Sequence, residues 1–106
     1  MRILVIFHAI ITIGSVQPSN NGHPTFHDDF EGPTLDTSKW QVQHWDGNWK
    51  NNELECYHPD NVKIENGHLV LTASAKKKDD PVCGNQQYWS GSIESKECFL
   101  HGTIKT

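Results

Sequence analysis

The dipeptide Asn66-Gly67 stands between two stretches of alternating residues, and it constrains the fold more than any other feature of the sequence. The stretch before it reads NVKIE, residues 61–65, and the stretch after it reads HLVLTASA, residues 68–75. A two-residue hairpin turn of type I′ needs positive φ at both central positions, which Asn and Gly adopt readily. The sequence therefore predicts an antiparallel hairpin across residues 61–75.

Strand patterns dominate the rest of the chain, and no long helical period is present. One face of the second hairpin arm is wholly apolar and needs a second layer; it carries Leu69, Leu71, Ala73 and Ala75. TFHDDF (25–30) and WQVQHW (40–45) are further predicted strands, whereas KKKDDPVCGN (76–85) is predicted to be a solvated loop. The pattern indicates an all-β sandwich or barrel.

The N-terminus has the layout of a secretory signal peptide. A positive start, Met1-Arg2, precedes the apolar run ILVIFHAIITI and then the small residues Gly14 and Ser15. We expect residues 1–17 to be a signal peptide of uncertain cleavage site, and the protein to be secreted. The run is too short for a membrane-spanning helix, which needs about 20 apolar residues. The alternative is a buried N-terminal strand.

Charge and cysteine content exclude several classes of protein. The net charge of −4 leaves no basic footprint for nucleic acid, and no basic amphipathic helix suggests membrane binding. Secretion favours disulfides over free thiols among the three cysteines, but the odd number leaves one free or paired outside this chain. No CxxC pair occurs, so a zinc site is not expected in spite of seven histidines.

Glu53 and Glu55 form the one carboxylate pair that suggests catalysis. On a strand they would point to the same side, about 6.6–7 Å apart. Carboxylate pairs about 5–5.5 Å apart perform retaining glycoside hydrolysis. The alternative is a solvated strand face that happens to carry two like charges.

Three blocks in order give a more specific indication: FHDDFEGPTLDTSKW, then GNWKNNELECYHPDNVKIENGHLVLTA, then YWSGSIESKECFLHG. Together they resemble the N-terminal part of glycoside hydrolase family 16, the laminarinases, lichenases and related β-glucanases. The resemblance implies a partial concanavalin-like β-jelly-roll sandwich, with residues 25–106 as the truncated N-terminal part of the domain. It also implies a β-glucan partner, with β-1,3 or β-1,3/1,4 linkages cleaved with retention.

The catalytic strand of that family carries Glu-x-Asp-x-Glu, which does not occur in this sequence. Glu53-Leu54-Glu55 lies in a different block and lacks the Asp, so the resemblance implies that no catalytic residue is in this chain. The parent would be a secreted glycosidase. The alternatives are a non-catalytic β-glucan-binding recognition protein and an inactive truncated fragment.

The resemblance also implies which residues contact substrate. Asn51 or Asn52 would bind a glucose hydroxyl and Trp49 would stack on a sugar face. Ser92 stands where many laminarinases have an arginine in the cleft, which puts laminarin specificity in doubt, and Trp89 would compensate by stacking. The alternative roles are a turn-capping amide for Asn51 or Asn52 and a core position for Trp49.

Two structural features are implied in the same way. Cys56 and Cys83 fall where the lichenase branch has its disulfide, which would close a loop worth about 3–4 kcal/mol. Cys98 would then pair with a cysteine beyond Thr106 or remain free. Many members bind a structural calcium through oxygens that match backbone positions near Glu31 and Gly67, and no other cofactor is expected.

Overall fold

The computed structural model describes residues 3–7, 26–47 and 52–99. The strands in these ranges are β1 (Ile3–Phe7), β2 (Trp40–Val42), β3 (Trp45–Asp46), β4 (Glu55–Tyr57), β5 (Val62–Glu65), β6 (His68–Ala75), β7 (Tyr88–Ser90) and β8 (Ile93–Ser95). A 3-10 helix, Pro59–Asn61, connects β4 to β5. The predicted all-β class is confirmed. Nothing helical within the described ranges has the length and apolar character of a membrane span.

The predicted hairpin is formed by β5 and β6. Glu65 lies opposite His68 in the antiparallel register, and the turn residues Asn66 and Gly67 have φ values of 51° and 72°. Both angles lie in the left-handed region that the Asn-Gly pair is suited to. The turn chemistry therefore sets the register, and the register places Leu69, Leu71 and Ala73 on one face of β6 and Val70 on the other.

β6 is the centre of the larger sheet, whose strand order is β1-β6-β7-β4-β3 with β5 also paired to β6. β1 runs antiparallel along one edge of β6. Along the other edge, β5 pairs with residues 68–71 of β6 and β7 pairs with residues 73–75. β4 and β7 are parallel, with Glu55 opposite Tyr88. The prediction of a cleaved leader stays a prediction, and the structure places residues 3–7 of that segment as the strand β1.

The predicted strand 40–45 is divided between two sheets. β2 pairs with β8 in a separate two-stranded sheet, whereas β3 joins β4 at the edge of the larger sheet. Gln43 directly follows β2, and its backbone N–H donates to the carbonyl of Ser92, 2.9 Å away. The change of direction gives the two open sheets expected of part of a sandwich.

The predicted strand 25–30 was wrong. The carboxylate of Asp28 accepts the backbone N–H of Phe30 at 2.9 Å, and Phe30 has a φ of 57°. Local side-chain hydrogen bonds of this kind compete with strand pairing. The same carboxylate accepts the indole N–H of Trp40 at 2.6 Å, so the buried Asp28 has partners for both oxygens.

The main core lies between the two sheets. Trp40 packs edge-on against Phe26, with ring centroids 5.2 Å apart, and at 6.0 Å from Phe30. Leu69 of β6 completes the buried set. Partly buried residues surround it: Leu35, Val62, Ile64, Leu71 and Ile93. This layer covers the apolar face of β6 at its Leu69 end and leaves the Ala75 end open.

Asn61 ties the 3-10 helix to the larger sheet. Its side chain is fully buried, and Nδ2 donates to the carbonyl and hydroxyl of Thr72 and to the hydroxyl of Ser74, at 2.9–3.1 Å. The backbone of Asn61 also passes close to Gly91, where an added Cβ would collide with the Asn61 carbonyl oxygen. These contacts fix the position of the 3-10 helix relative to β6 and to the end of β7.

The expected disulfide between Cys56 and Cys83 is present, with Cα atoms 5.3 Å apart. Both cysteines and Trp89 form a second buried cluster on the side of the sheet opposite the main core. The loop 76–85 is therefore only partly solvated, in contrast to the prediction. Lys77 and Lys78 face water, but Cys83 is buried and the side chain of Asp80 is largely enclosed.

Candidate functional site

A shallow trough lies on the open end of the larger sheet, beyond the main core. Its volume is about 370 Å³, within the range of small-ligand sites. Strands β4, β6 and β7 and the segment before β4 form it, through Leu54, Glu55, Ala73, Ser74, Ala75, Tyr88, Trp89 and Ser90. The lining is mostly apolar, with one carboxylate and a few hydroxyl groups, so it can hold a flat ligand that has an apolar face and a polar edge.

Two side chains in the trough are unusually exposed for their type. Leu54 is 71% exposed and Tyr88 is 56% exposed. Tyr88 lies opposite Ala75 on one side and opposite Glu55 on the other. Because the small side chain of Ala75 lies beside the large ring of Tyr88, one face of that ring stays open to solvent. A contiguous exposed apolar patch commonly marks a binding site.

Trp89 was expected to stack on a sugar, but its ring lies inside the protein. Successive residues of a strand point to opposite faces, so Trp89 faces away from the side that carries Tyr88. Its side chain is fully buried next to the Cys56–Cys83 bridge, and one face of its ring is covered by His58 at a centroid distance of 3.9 Å. The aromatic ring on the trough side is that of Tyr88, which the sequence did not single out.

Glu53 and Glu55 have different surroundings. β4 begins only at Glu55, which lines the trough, while the Glu53 side chain packs towards Gly47 and accepts a hydrogen bond from the hydroxyl of Tyr57. Burial, this hydrogen bond and the charges of the two glutamates raise the pKa of Tyr57 to about 12. Glu53 is thus engaged in fixing Tyr57, and Glu55 is the carboxylate available to a ligand in the trough.

The other predicted contact residues lie in three situations. Trp49 and Asn51 fall outside the described residues. Asn52 is exposed, with a φ of 54°, just before the trough residue Leu54. Ser92 is half-buried between β7 and β8, and its carbonyl accepts the N–H of Gln43. Contact of any of them with substrate stays a prediction.

The two positions expected for calcium are brought together. A Cβ built on Gly67 would lie 2.9 Å from a carboxylate oxygen of Glu31, so the Glu31 side chain reaches the hairpin turn. Calcium takes six to eight oxygen ligands, and one carboxylate with nearby carbonyls is the right kind of donor set. The Glu31 carboxylate and the turn carbonyls are therefore the kind of oxygen donors that calcium takes, and calcium binding there stays a prediction.

Cys98 is an exposed free thiol close to the end of the described residues. The other two cysteines of the chain are bonded to each other. A partner for Cys98 beyond this chain stays a prediction.

The chain is similar to two proteins whose names describe an activity. It is 31% identical over 83 residues to a glucan endo-1,3-beta-glucosidase of Cryptopygus antarcticus, covering 76% of this chain and 30% of that protein. It is 36% identical over 84 residues to glucan endo-1,3-beta-glucosidase A1 of Niallia circulans, covering 68% of this chain and 12% of that protein. No family model and no solved structure matches the chain. The two similarities relate this chain to a part, less than one third in length, of two glucan endo-1,3-beta-glucosidases.

Proposed function

We propose that this chain is part of a secreted family 16 glycoside hydrolase that acts on β-1,3-glucan, and that it contributes to the glucan-binding surface. The observation that carries the proposal is the similarity to two relatives from different organisms that share one named activity. The three sequence blocks that resemble family 16 point to the same chemistry. Mixed β-1,3/1,4-glucan is the second substrate of the proposal, and cleavage would retain the anomeric configuration.

The trough is the proposed sugar-binding surface. A pyranose ring has an apolar face of C–H groups and a rim of hydroxyls, so it suits an apolar floor with polar groups beside it. Tyr88 would stack on the sugar face, and Leu54 would extend the apolar contact. Glu55 and Ser90 line the same trough and would accept hydrogen bonds from hydroxyl groups. Asn52, just before Leu54, would add an amide.

Hydrolysis itself is assigned to residues outside this chain. Retaining glycoside hydrolysis needs two carboxyl groups about 5–5.5 Å apart. Glu53 is bound to Tyr57, and Glu-x-Asp-x-Glu occurs nowhere in the sequence. We expect the isolated chain to bind glucan without cleaving it. The second candidate function, a non-catalytic glucan-binding protein, rests on this same absence of the motif.

Binding to insoluble β-1,3-glucan tests the proposal. Tyr88→Ala and Leu54→Ala should each weaken binding about 10-fold, which corresponds to about 1.4 kcal/mol. Val82→Ala is the matched control, because Val82 is an exposed apolar residue on the loop 76–85, away from the trough. Full binding by Tyr88→Ala, or none by the unaltered chain, would refute the proposed surface. Release of reducing ends by the chain alone would refute the catalytic assignment.

A structural calcium at Glu31 and the Gly67 turn is a further part of the proposal. Its support is the approach of the Glu31 carboxylate to the hairpin turn. Calcium should raise the unfolding temperature of the unaltered chain and leave that of Glu31→Gln unchanged. An equal rise in both would refute the assignment.

A further inference from the structure

Two histidines and one aspartate from distant parts of the sequence meet on the side of the sheet opposite the trough. His44 lies between β2 and β3, His58 follows β4, and Asp80 belongs to the loop 76–85. His44 Nε2 is 3.1 Å from Asp80 Oδ1, and His58 Nε2 is 3.3 Å from Asp80 Oδ2. One ligand atom from each residue lies within 4.8 Å of the other two.

We propose that His44, His58 and Asp80 form a binding site for a divalent transition-metal ion, and that zinc is the ion it fits best. The cysteine spacings gave no reason to expect zinc, but this group uses no cysteine. The site lies beside the buried cluster of Cys56, Cys83 and Trp89, and it is independent of the proposed glucan surface.

The three side chains are close enough to bind one tetrahedral ion after a small movement. Zinc binds imidazole nitrogen at about 2.0–2.1 Å and carboxylate oxygen at about 2.0–2.2 Å, so neighbouring ligand atoms lie about 3.4 Å apart. The two histidine-to-aspartate separations are close to that value, but they involve different carboxylate oxygens, Oδ1 for His44 and Oδ2 for His58. The three ligand atoms lie within 4.8 Å of one another, so the side chains must move closer together to bind one ion. Two nitrogen donors exclude calcium and magnesium, which prefer all-oxygen sites.

His58 is held in a fixed orientation. Its ring is stacked on Trp89 with the two planes only 8° apart, and its side chain is about 5% exposed. Asp80 is fixed as well, because its Oδ1 accepts the backbone N–H groups of Val82 and Cys83 at 2.9 and 3.1 Å. The disulfide anchors the loop that carries Asp80. Two of the three ligands are therefore preorganised.

Metal binding at His58 Nε2 requires a change of tautomer, and Asp60 is placed to support it. Nδ1 accepts the backbone N–H of Asp60 at 3.1 Å, which leaves the proton of the neutral ring on Nε2, facing Asp80. An ion bound at Nε2 requires the ring proton to be on Nδ1, which can then no longer accept the Asp60 N–H. The Asp60 carboxylate, whose Oδ1 is 3.8 Å from Nδ1, can accept this proton after a small movement. The other oxygen of Asp60 already pairs with Lys78 Nζ at 3.1 Å. A carboxylate behind a metal-bound histidine is the common arrangement in zinc sites.

The open side of the site is at His44. Its side chain is 35% exposed, in contrast to that of His58. Solvent can therefore reach the fourth position of a tetrahedral ion from this side, and the ion would be removable by chelators. Bound there, it would join the β2–β3 connection, the end of β4 and the loop 76–85 in addition to the disulfide.

Zinc titration of the purified, metal-free chain with its disulfide intact tests the proposal. Calorimetry should show one equivalent bound, and cobalt in place of zinc should give the intense visible absorption of a tetrahedral complex. His44→Ala and Asp80→Asn should weaken zinc binding at least about 10-fold; Asp60→Asn should weaken it by a similar factor through His58. The amide oxygen of Asp80→Asn can still accept the Val82 and Cys83 N–H groups, so that variant should fold.

His27→Ala is the matched control. His27 is a partly exposed histidine 3.9 Å from Asp29, but no second histidine joins them in the described part of the chain. It should bind zinc as the unaltered chain does. One full equivalent retained with undiminished affinity by His44→Ala and Asp80→Asn would place the ligands elsewhere and overturn the proposal. The unaltered chain failing to bind zinc would overturn it equally.

Discussion

The imidazole of His58 lies flat on the indole of Trp89, with ring centroids 3.9 Å apart and planes 8° from parallel. His58 thereby covers one face of the buried cluster that Trp89 forms with Cys56 and Cys83. Because Tyr88 precedes Trp89 in the same strand, one residue step separates the most enclosed aromatic ring of the described chain from its most exposed one. The strand thus supplies stability on one face and a candidate binding surface on the other.

Trp89→Ala should lower the free energy of unfolding by about 3–5 kcal/mol, because it removes a fully buried aromatic ring and leaves a cavity beside the disulfide. Urea unfolding followed by far-ultraviolet circular dichroism measures the loss. Tyr88→Ala is the neighbouring control and should cost less than about 1 kcal/mol, since its ring is mostly in water. Equal losses in the two variants would contradict the assignment of faces.

Asn61→Ala should lower the free energy of unfolding by about 1–3 kcal/mol. The substitution removes the Nδ2 donor, so the carbonyl and hydroxyl of Thr72 and the hydroxyl of Ser74 lose a hydrogen bond at a site closed to water. Denaturant midpoints at equal slope would report the change. Substitution of the exposed Asn85 by alanine should leave the midpoint in place, and an equally small effect at Asn61 would show that water replaces its hydrogen bonds.

Gly91→Ala should destabilise the chain by about 2 kcal/mol or more, because the new Cβ would collide with the backbone carbonyl of Asn61, which cannot rotate away. Thermal unfolding provides the measurement. Gly84→Ala is the comparison variant, because Gly84 has a φ of 52° but a Cβ added there meets no atom within 4 Å. That change should cost only the left-handed backbone penalty of about 1 kcal/mol.

Asp80 should make the stability of the chain fall in acid. Burial raises the pKa of its carboxyl, but hydrogen bonds from the Cys83 N–H, His44 and the Val82 N–H outweigh this and hold the pKa at about 2, below the ordinary 3.8. A carboxyl that is harder to protonate in the folded state stabilises the fold fully above the unfolded pKa. That contribution is lost as the pH falls from about 4 towards 2.

Unfolding of the metal-free chain measured from pH 5 to about pH 2 checks this expectation. Asp80→Asn should make the stability profile flatter over that interval. Parallel profiles for Asp80→Asn and the unaltered chain would show that the hydrogen bonds to Asp80 do not act on its titration.

The parts of the fold that could be predicted are those with a local cause. The hairpin follows from Asn66-Gly67 and from the alternation beside it, and β6 has the predicted limits. The segment 40–45 alternates from Trp40 to Gln43, but its two ends pair with different strands, β8 and β4. No local pattern reveals such a change of sheet. At residues 26–30, hydrogen bonds accepted by the Asp28 carboxylate overrode the strand pattern.

The candidate site was less predictable for the same reason. Alternation places Tyr88 and Trp89 on opposite faces, but it does not say which face the loop 76–85 covers. That is decided by the bridge to Cys83, which buries Trp89 and leaves Tyr88 open. His44, His58 and Asp80 show no spacing typical of metal ligands, because three separate segments bring them together.

The parallel pairing of β4 with β7 has a consequence for the order in which the chain folds. Glu55 and Tyr88 are separated in the sequence by the whole hairpin and the loop 76–85, and such distant contacts form slowly because the chain between them must first lose its freedom. The β5–β6 turn closes locally and can come first. The thiols of Cys56 and Cys83 then meet late, so during oxidative folding the exposed Cys98 competes with each for a partner until β7 is in place.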